Sequence, residues 1–231
     1  MKKKMQWKTV TAAAVLTLTL AGQSFAATSP FQDVKGTPAE DKINVLFEQG
    51  VIKGISDDKF APGAVVTAAQ GVQLIVNALD LNLDLVRFVK EPLATDYFKH
   101  ADNKAWYAQT LIIAAVNNLE LPADLKPTDK WTREEFTHQL ISAIEQHANL
   151  PEIKLAPVEV KDQELLTPEY DGSLQRALAY GVVKLDEAGK FNPKAELTRG
   201  EAAEQIYNAL EYIKAHPAPE SLETDTEPAA N

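Results

Sequence analysis

A threefold internal recurrence constrains this chain more than any other feature of its sequence. Gly50-Val-Ile-Lys-Gly54 leads to Phe60-Ala-Pro62 and Val66-Thr67, and Gly181-Val-Val-Lys leads to Phe191-Asn-Pro193 and Leu197-Thr198, with 17 residues from the first Gly to the Thr in both. Between them, Leu125-Lys-Pro127 leads to Trp131-Thr132 with the same five residues from Pro to Thr. The three threonines stand 65 and 66 residues apart. A fixed period of this kind implies units that bury their apolar faces on one another instead of folding alone.

Each Thr opens a helical pattern. Val72, Ile75, Val76 and Leu79 follow the first, Phe136, Leu140, Ile141 and Ile144 the second, and Ala202, Ile206, Leu210 and Ile213 the third, all at helical spacing. A second amphipathic stretch precedes each loop, around Ile43 and Leu46, Leu111 and Val116, and Leu174 and Leu178. Gly50, Asn118 and Gly181 stand where these first helices end, as a left-handed C-cap favours. The expected fold is all-α, with three helix-loop-helix units at 31–81, 98–148 and 158–214. Stretches 81–97 and 148–161, interrupted by Pro92, Pro151 and Pro157, read as linkers.

The chain ends suggest different roles. Residues 1–26 place Lys2, Lys3, Lys4 and Lys8 ahead of an apolar run from Val10 to Ala21 and a Ser24-Phe25-Ala26 cleavage pattern, as in a secretory signal peptide. The run is too short to span a bilayer, so no membrane insertion is expected once the leader is removed. Residues 215–231, rich in acids and Pro, read as a disordered tail. Without the four leader lysines, 19 Lys+Arg face 33 Asp+Glu, a net charge of −14. Such a balance argues against a nucleic-acid partner. The absence of Cys excludes disulfides, thiolate metal sites and cysteine nucleophiles, and the four histidines lack metal-ligand spacing, so neither a metal nor a cofactor is expected.

The second helices begin Thr67-Ala-Ala-Gln70, Thr132-Arg-Glu-Glu135 and Thr198-Arg-Gly-Glu201, each a capping box. Capping does not explain the arginines, because a cation at the first helical position faces the positive end of the helix dipole. Only four Arg occur in the chain, and Arg133 and Arg199 share one repeat phase. Beside free helix amides they suit a carboxylate ligand, and an intramolecular salt bridge accounts for them equally well. Trp106 reads as a packing residue at a helix start, and Trp131 as a residue packed just ahead of a cap. Glu134, Glu135 and His138 read as a solvated helix face, and no catalytic motif occurs, so no enzyme activity is expected.

In this order, Phe31-Gln-Asp33-Val34, the Gly-Val-Ile-x-Gly loop, Phe-x-Pro and Thr-Arg-x-Glu resemble the S-layer homology (SLH) domain family. The resemblance covers about residues 31–213 and implies three units in a pseudo-threefold arrangement around a central helical bundle. It also implies an exported module at the cell wall and surface, associated with the S-layer. Its partner would be a secondary cell-wall polysaccharide, commonly ending in a pyruvylated amino sugar. Carried over residue by residue, the ligand-binding set is Arg133, Arg199, Trp106, Asp33, Asp102 and Gly54, with Asp162 at the Asp phase of the third copy. Ala68 replaces the arginine in the first copy, and the middle loop is three residues shorter. The alternative is an envelope scaffold that docks another envelope protein, its sugar grooves decayed.

Overall fold

The computed structural model describes residues 30–217, except 152 and 155. The leader and nearly all of the acidic tail lie outside the described residues. The described residues form six α-helices: α1 (Glu40–Glu48), α2 (Ala68–Ala78), α3 (Ala108–Val116), α4 (Arg133–His147), α5 (Asp171–Ala179) and α6 (Arg199–Ala215). Four single-turn 3-10 helices accompany them, and the described residues form isolated β-bridges but no extended strand. The fold is thus all-α. Helix α6 overruns the expected tail boundary by one residue, closing with His216 as its C-cap.

The short helices α1, α3 and α5 end alike. Gly50, Asn118 and Gly181 all adopt positive φ, at 74°, 58° and 70°. The following amide reaches back five residues, Val51 to Leu46, Leu119 to Ala114 and Val182 to Ala177, at 2.9, 2.9 and 2.8 Å. These bonds satisfy carbonyls that a helix end leaves open, and the left-handed turn aims the chain into its loop. Asn118 serves where glycine is absent because its short polar side chain tolerates this region.

At the other end of each loop, α2, α4 and α6 all begin with complete capping boxes. The residues ahead of the caps are joined in a closed ring. The Val66 amide donates to the Leu197 carbonyl (2.8 Å), Leu197 to Trp131 (2.9 Å), and Trp131 to Val66 (3.0 Å). The next two amides of each helix donate to the proline loop of a neighbouring unit: Ala68 and Ala69 to Asp129 and Pro127, Arg133 and Glu134 to Ala195 and Pro193, Arg199 and Gly200 to Ala64 and Pro62. Each of these three helix starts is therefore closed by another unit. The amides expected to be free for a ligand are all used, so these helix starts offer none to an anion.

Packing crosses the unit boundaries as well. Helix α3 packs on α2, α5 on α4 and α1 on α6, while α2, α4 and α6 touch one another. The expected hairpin partners thus find their main contacts in neighbouring units, and the α1–α6 pairing joins the two ends of the described chain. One continuous core results, with Phe31, Phe60, Phe136 and Phe191 among its largest fully buried side chains. Trp131 is buried against Phe136, with ring centroids 6.2 Å apart, a staple across the start of α4. It also lies against Gly71, where a Cβ would come within 2.3 Å of the indole.

Candidate functional site

Two grooves occupy equivalent places. The first, of about 310 Å³, lies between the 51–55 loop, α2, Trp106 and Arg199, and so draws on all three units. The second, of about 150 Å³, lies between the 182–184 loop, α6 and Arg133. Both arginines leave the start of a second helix and reach across to the loop of the next unit.

Those loops are held by aspartates. Asp33 accepts the Phe60 and Ala61 amides at 2.9 and 2.7 Å, and Asp162 accepts those of Phe191 and Asn192 at the same two distances. Ala61 and Asn192 both have positive φ, so each carboxylate clamps a turn that the backbone resists. Burial acts to raise the Asp33 pKa, but the amide bonds and nearby Lys59 outweigh it and hold the group below its ordinary value. Asp33, expected among the ligand residues, has both oxygens committed to the loop. Asp102 does not share its phase. The Lys99 amide pairs with the Ala123 carbonyl (2.9 Å) as Gln32 pairs with Asp58 and Lys161 with Gly189, which puts His100 at the aspartate position of the middle unit. Asp102 instead forms a local turn, accepting from the Lys104 amide at 2.9 Å. Comparing Phe31-Gln-Asp33 with Phe98-Lys-His100 in the sequence would have exposed this register.

The clamped loops in turn seat the arginines. Arg199 donates from Nε to the Phe60 carbonyl (2.9 Å) and from Nη2 to the Lys53 carbonyl (3.0 Å), and its guanidinium lies 4.5 Å from the Phe60 ring centroid. Burial depresses its pKa while the Asp33 charge acts the other way; an arginine remains cationic throughout. Among the described residues Arg199 has no ion-pair partner, and its Nη1 is uncommitted. Arg133 differs. It donates to the Phe191 carbonyl at 3.0 Å and pairs through Nη2 with Glu201 at 2.5 Å. Of the two expectations for these arginines, the salt bridge describes Arg133, whereas Arg199 is cradled by two carbonyls and the Phe60 ring.

The helix facing each arginine accounts for the difference. Glu201 and Glu204 line the Arg133 groove, and Glu204 also pairs with Lys42. At the matching positions of α2, the Arg199 groove has Gln70 and Gln73. The Gln70 oxygen caps Thr67 at 3.0 Å, as one Glu201 oxygen caps Thr198 at 2.9 Å, but Gln70 brings no charge. Asn77 and Asn208 donate to the Val51 and Val182 carbonyls and fix the loops alike in both grooves. This Gln-for-Glu exchange is visible in the sequence, three and six residues after each cap.

Trp106 is 58% exposed, standing edge-on to Tyr107 at 5.5 Å on the rim of the Arg199 groove. Gly54 contributes backbone to the same groove; a Cβ there would lie 2.4 Å from the Ser56 carbonyl oxygen and 2.5 Å from Phe31. Arg199, Trp106 and Gly54 therefore come together, Arg133 lies in the other groove, and Asp33 supports the first from behind. Ala68, at the third arginine phase, is only 1% exposed, so an arginine there would have to displace packed core.

The acids of α4 are not a solvated face. Glu134 is 4% exposed, accepting the Thr167 amide and hydroxyl at 3.0 and 2.7 Å and pairing with Lys194. Glu135 completes the Thr132 capping box. His138 stacks on Tyr170 with centroids 4.3 Å apart, and its Nδ1 lies 2.8 Å from the Ser173 hydroxyl. These side chains tie α4 to the segment leading into α5. Among the described residues no group of three or more potential ligands is placed to hold a metal ion, and no helix is long and apolar enough to cross a membrane.

Comparison with known proteins bears on the same stretches. The chain is 28% identical over 184 residues to an exoglucanase of Acetivibrio thermocellus, 78% of this chain and 16% of that protein. It is 28% identical over 191 residues to an amylopullulanase of Thermoanaerobacterium thermosulfurigenes, 81% of this chain and 10% of that one. With the surface-layer 125 kDa protein of Lysinibacillus sphaericus, identity is 27% over 219 residues, 92% of this chain and 17% of that protein. The chain spans less than a fifth of the length of these relatives. Residues 30–70 and 161–203, which contain the two aspartate-clamped loops and the first turns of α2 and α6, match the S-layer homology domain.

Proposed function

We propose that this chain is a wall-binding module of the cell surface, non-catalytic, exported behind its leader and built from three S-layer homology units, the middle one degenerate. We propose further that its three units repeat about a pseudo-threefold axis and that one groove, at Arg199, recognises an acidic sugar of a secondary cell-wall polysaccharide. The observation that carries the reading is the contrast between the arginines. Arg199 offers a guanidinium without an ion pair beside an exposed indole and neutral amides. Arg133 is already neutralised by Glu201 and faces Glu204. A carboxylate gains charge-assisted hydrogen bonds at the first and meets two acids at the second. The local cation matters because the chain as a whole is acidic and repels an anionic polymer at long range.

Sedimentation with purified sacculi tests this reading. The protein should pellet with native sacculi and stay in the supernatant once the secondary polymer has been extracted; equal sedimentation with both would contradict it. The occupied Arg133 and the buried Ala68 favour a second reading, an envelope scaffold whose grooves no longer bind sugar. On that reading neither preparation retains the protein.

A further inference from the structure

Trp106 borders a second cavity. This space, of about 250 Å³, lies between the start of α3 and the linker around Leu93, and Trp106 lines both it and the Arg199 groove. The linker wall is pinned in place. The Thr95 amide donates to Asn103 Oδ1 (3.0 Å), Asn103 Nδ2 donates to the Thr95 hydroxyl (2.9 Å), and Asp96 accepts the Leu93 amide (2.9 Å). With Asn103 so engaged, the polar side chains left to meet a ligand are the Gln109 amide and the Glu91 carboxylate, neither of which has a partner among the described residues. Leu93 and Ile112 supply an aliphatic wall.

An amide that both donates and accepts, a carboxylate that accepts, and an indole together with aliphatic carbon suit a pyranose with hydroxyl or N-acetyl groups. Glu91 disfavours a second acidic sugar, and no cation lines the cavity to offset it. We propose that this cavity is an extended subsite for a neutral sugar, the unit next to the acidic one in the Arg199 groove, with Trp106 shared between the two. The proposal rests on the acidic-sugar reading of that groove, and it implies that the protein recognises a glycan end longer than a single residue.

Isothermal titration of the full chain separates the two ideas. The probes are a pyruvylated N-acetylhexosamine methyl glycoside and a disaccharide in which the same acidic sugar is linked to a neutral N-acetylhexosamine. The disaccharide should bind about tenfold more tightly than the monosaccharide. Gln109→Ala combined with Glu91→Ala, both at exposed positions, should abolish that advantage while leaving monosaccharide binding unchanged. Equal binding of the two probes by the unaltered protein would overturn the subsite and leave the Arg199 groove standing. A disaccharide advantage that survives the double substitution would place the second sugar elsewhere and also overturn it. Binding of neither probe would overturn the subsite together with the acidic-sugar reading beneath it.

Discussion

Asp33 and Asp162 perform one task twice: a carboxylate takes two consecutive amides of a Phe-x-Pro loop, and the phenylalanine carbonyl of that loop then receives an arginine from another unit. Replacing Asp33 by Ala leaves two amides without their charged acceptor, and we expect a loss of about 2 kcal/mol in chemical denaturation. Sacculus binding should weaken with it, because the Arg199 cradle rests on that loop. Glu134 gives a pH dependence of defined sign. Burial alone would raise its pKa, yet Lys194 and Thr167 hold it below its ordinary value in the folded chain. Its stabilisation is complete above that value and fades as pH falls through the depressed folded pKa. Glu134→Gln should therefore lower the melting temperature at neutral pH and flatten its fall under acid. At this scale the sequence was legible where a motif has local logic, as in the capping boxes. It misled where the partner is distant: nothing near Asp33 in the chain shows that its oxygens are spent 27 residues away.

The elements owe their limits to local chemistry and their positions to one another. Capping boxes and left-handed C-caps could be placed from residue type and spacing, because both are set within a few residues. The cross-unit pairing of α1 with α6, α3 with α2 and α5 with α4 could not, since an apolar stripe does not name the stripe that covers it. Gly71 marks one such contact. Gly71→Ala would gain up to about 1 kcal/mol in helix propensity, but its methyl group would intrude on the buried Trp131 ring at a cost of about 1–3 kcal/mol. Thermal denaturation should show net destabilisation, and a more stable variant would mean that the indole is not fixed there. The 81–97 linker differs in kind. It exposes Leu85 at 98% together with Val86, Phe88 and Val89 around Arg87 and Lys90. Brief trypsin treatment should cut there first, detectable by mass spectrometry, before any site within the six helices.

Across the whole molecule, three cap-preceding residues exchange backbone hydrogen bonds in a closed cycle, and each second helix starts on the next unit's loop. The constant five residues from Pro to Thr find their physical reason here: the Pro carbonyl and the one two residues on must both reach the neighbouring helix while the chain still arrives at the ring. The sequence displayed that spacing but not the closure it serves. The same architecture makes the grooves inequivalent, because each combines one unit's arginine with another unit's helix, and a change of Gln to Glu in the second alters the charge around the first. The proposed sugar recognition therefore depends on the difference between Arg199 and Arg133. Affinity of the protein for purified secondary cell-wall polysaccharide, measured side by side for Arg199→Ala and Arg133→Ala with folding checked by circular dichroism, tests it most directly. We predict at least a tenfold loss for Arg199→Ala, in line with about 1.5–3 kcal/mol for a charge-assisted contact, and less than a twofold change for Arg133→Ala. Equal losses for the two variants, or a larger loss for Arg133→Ala, would contradict it.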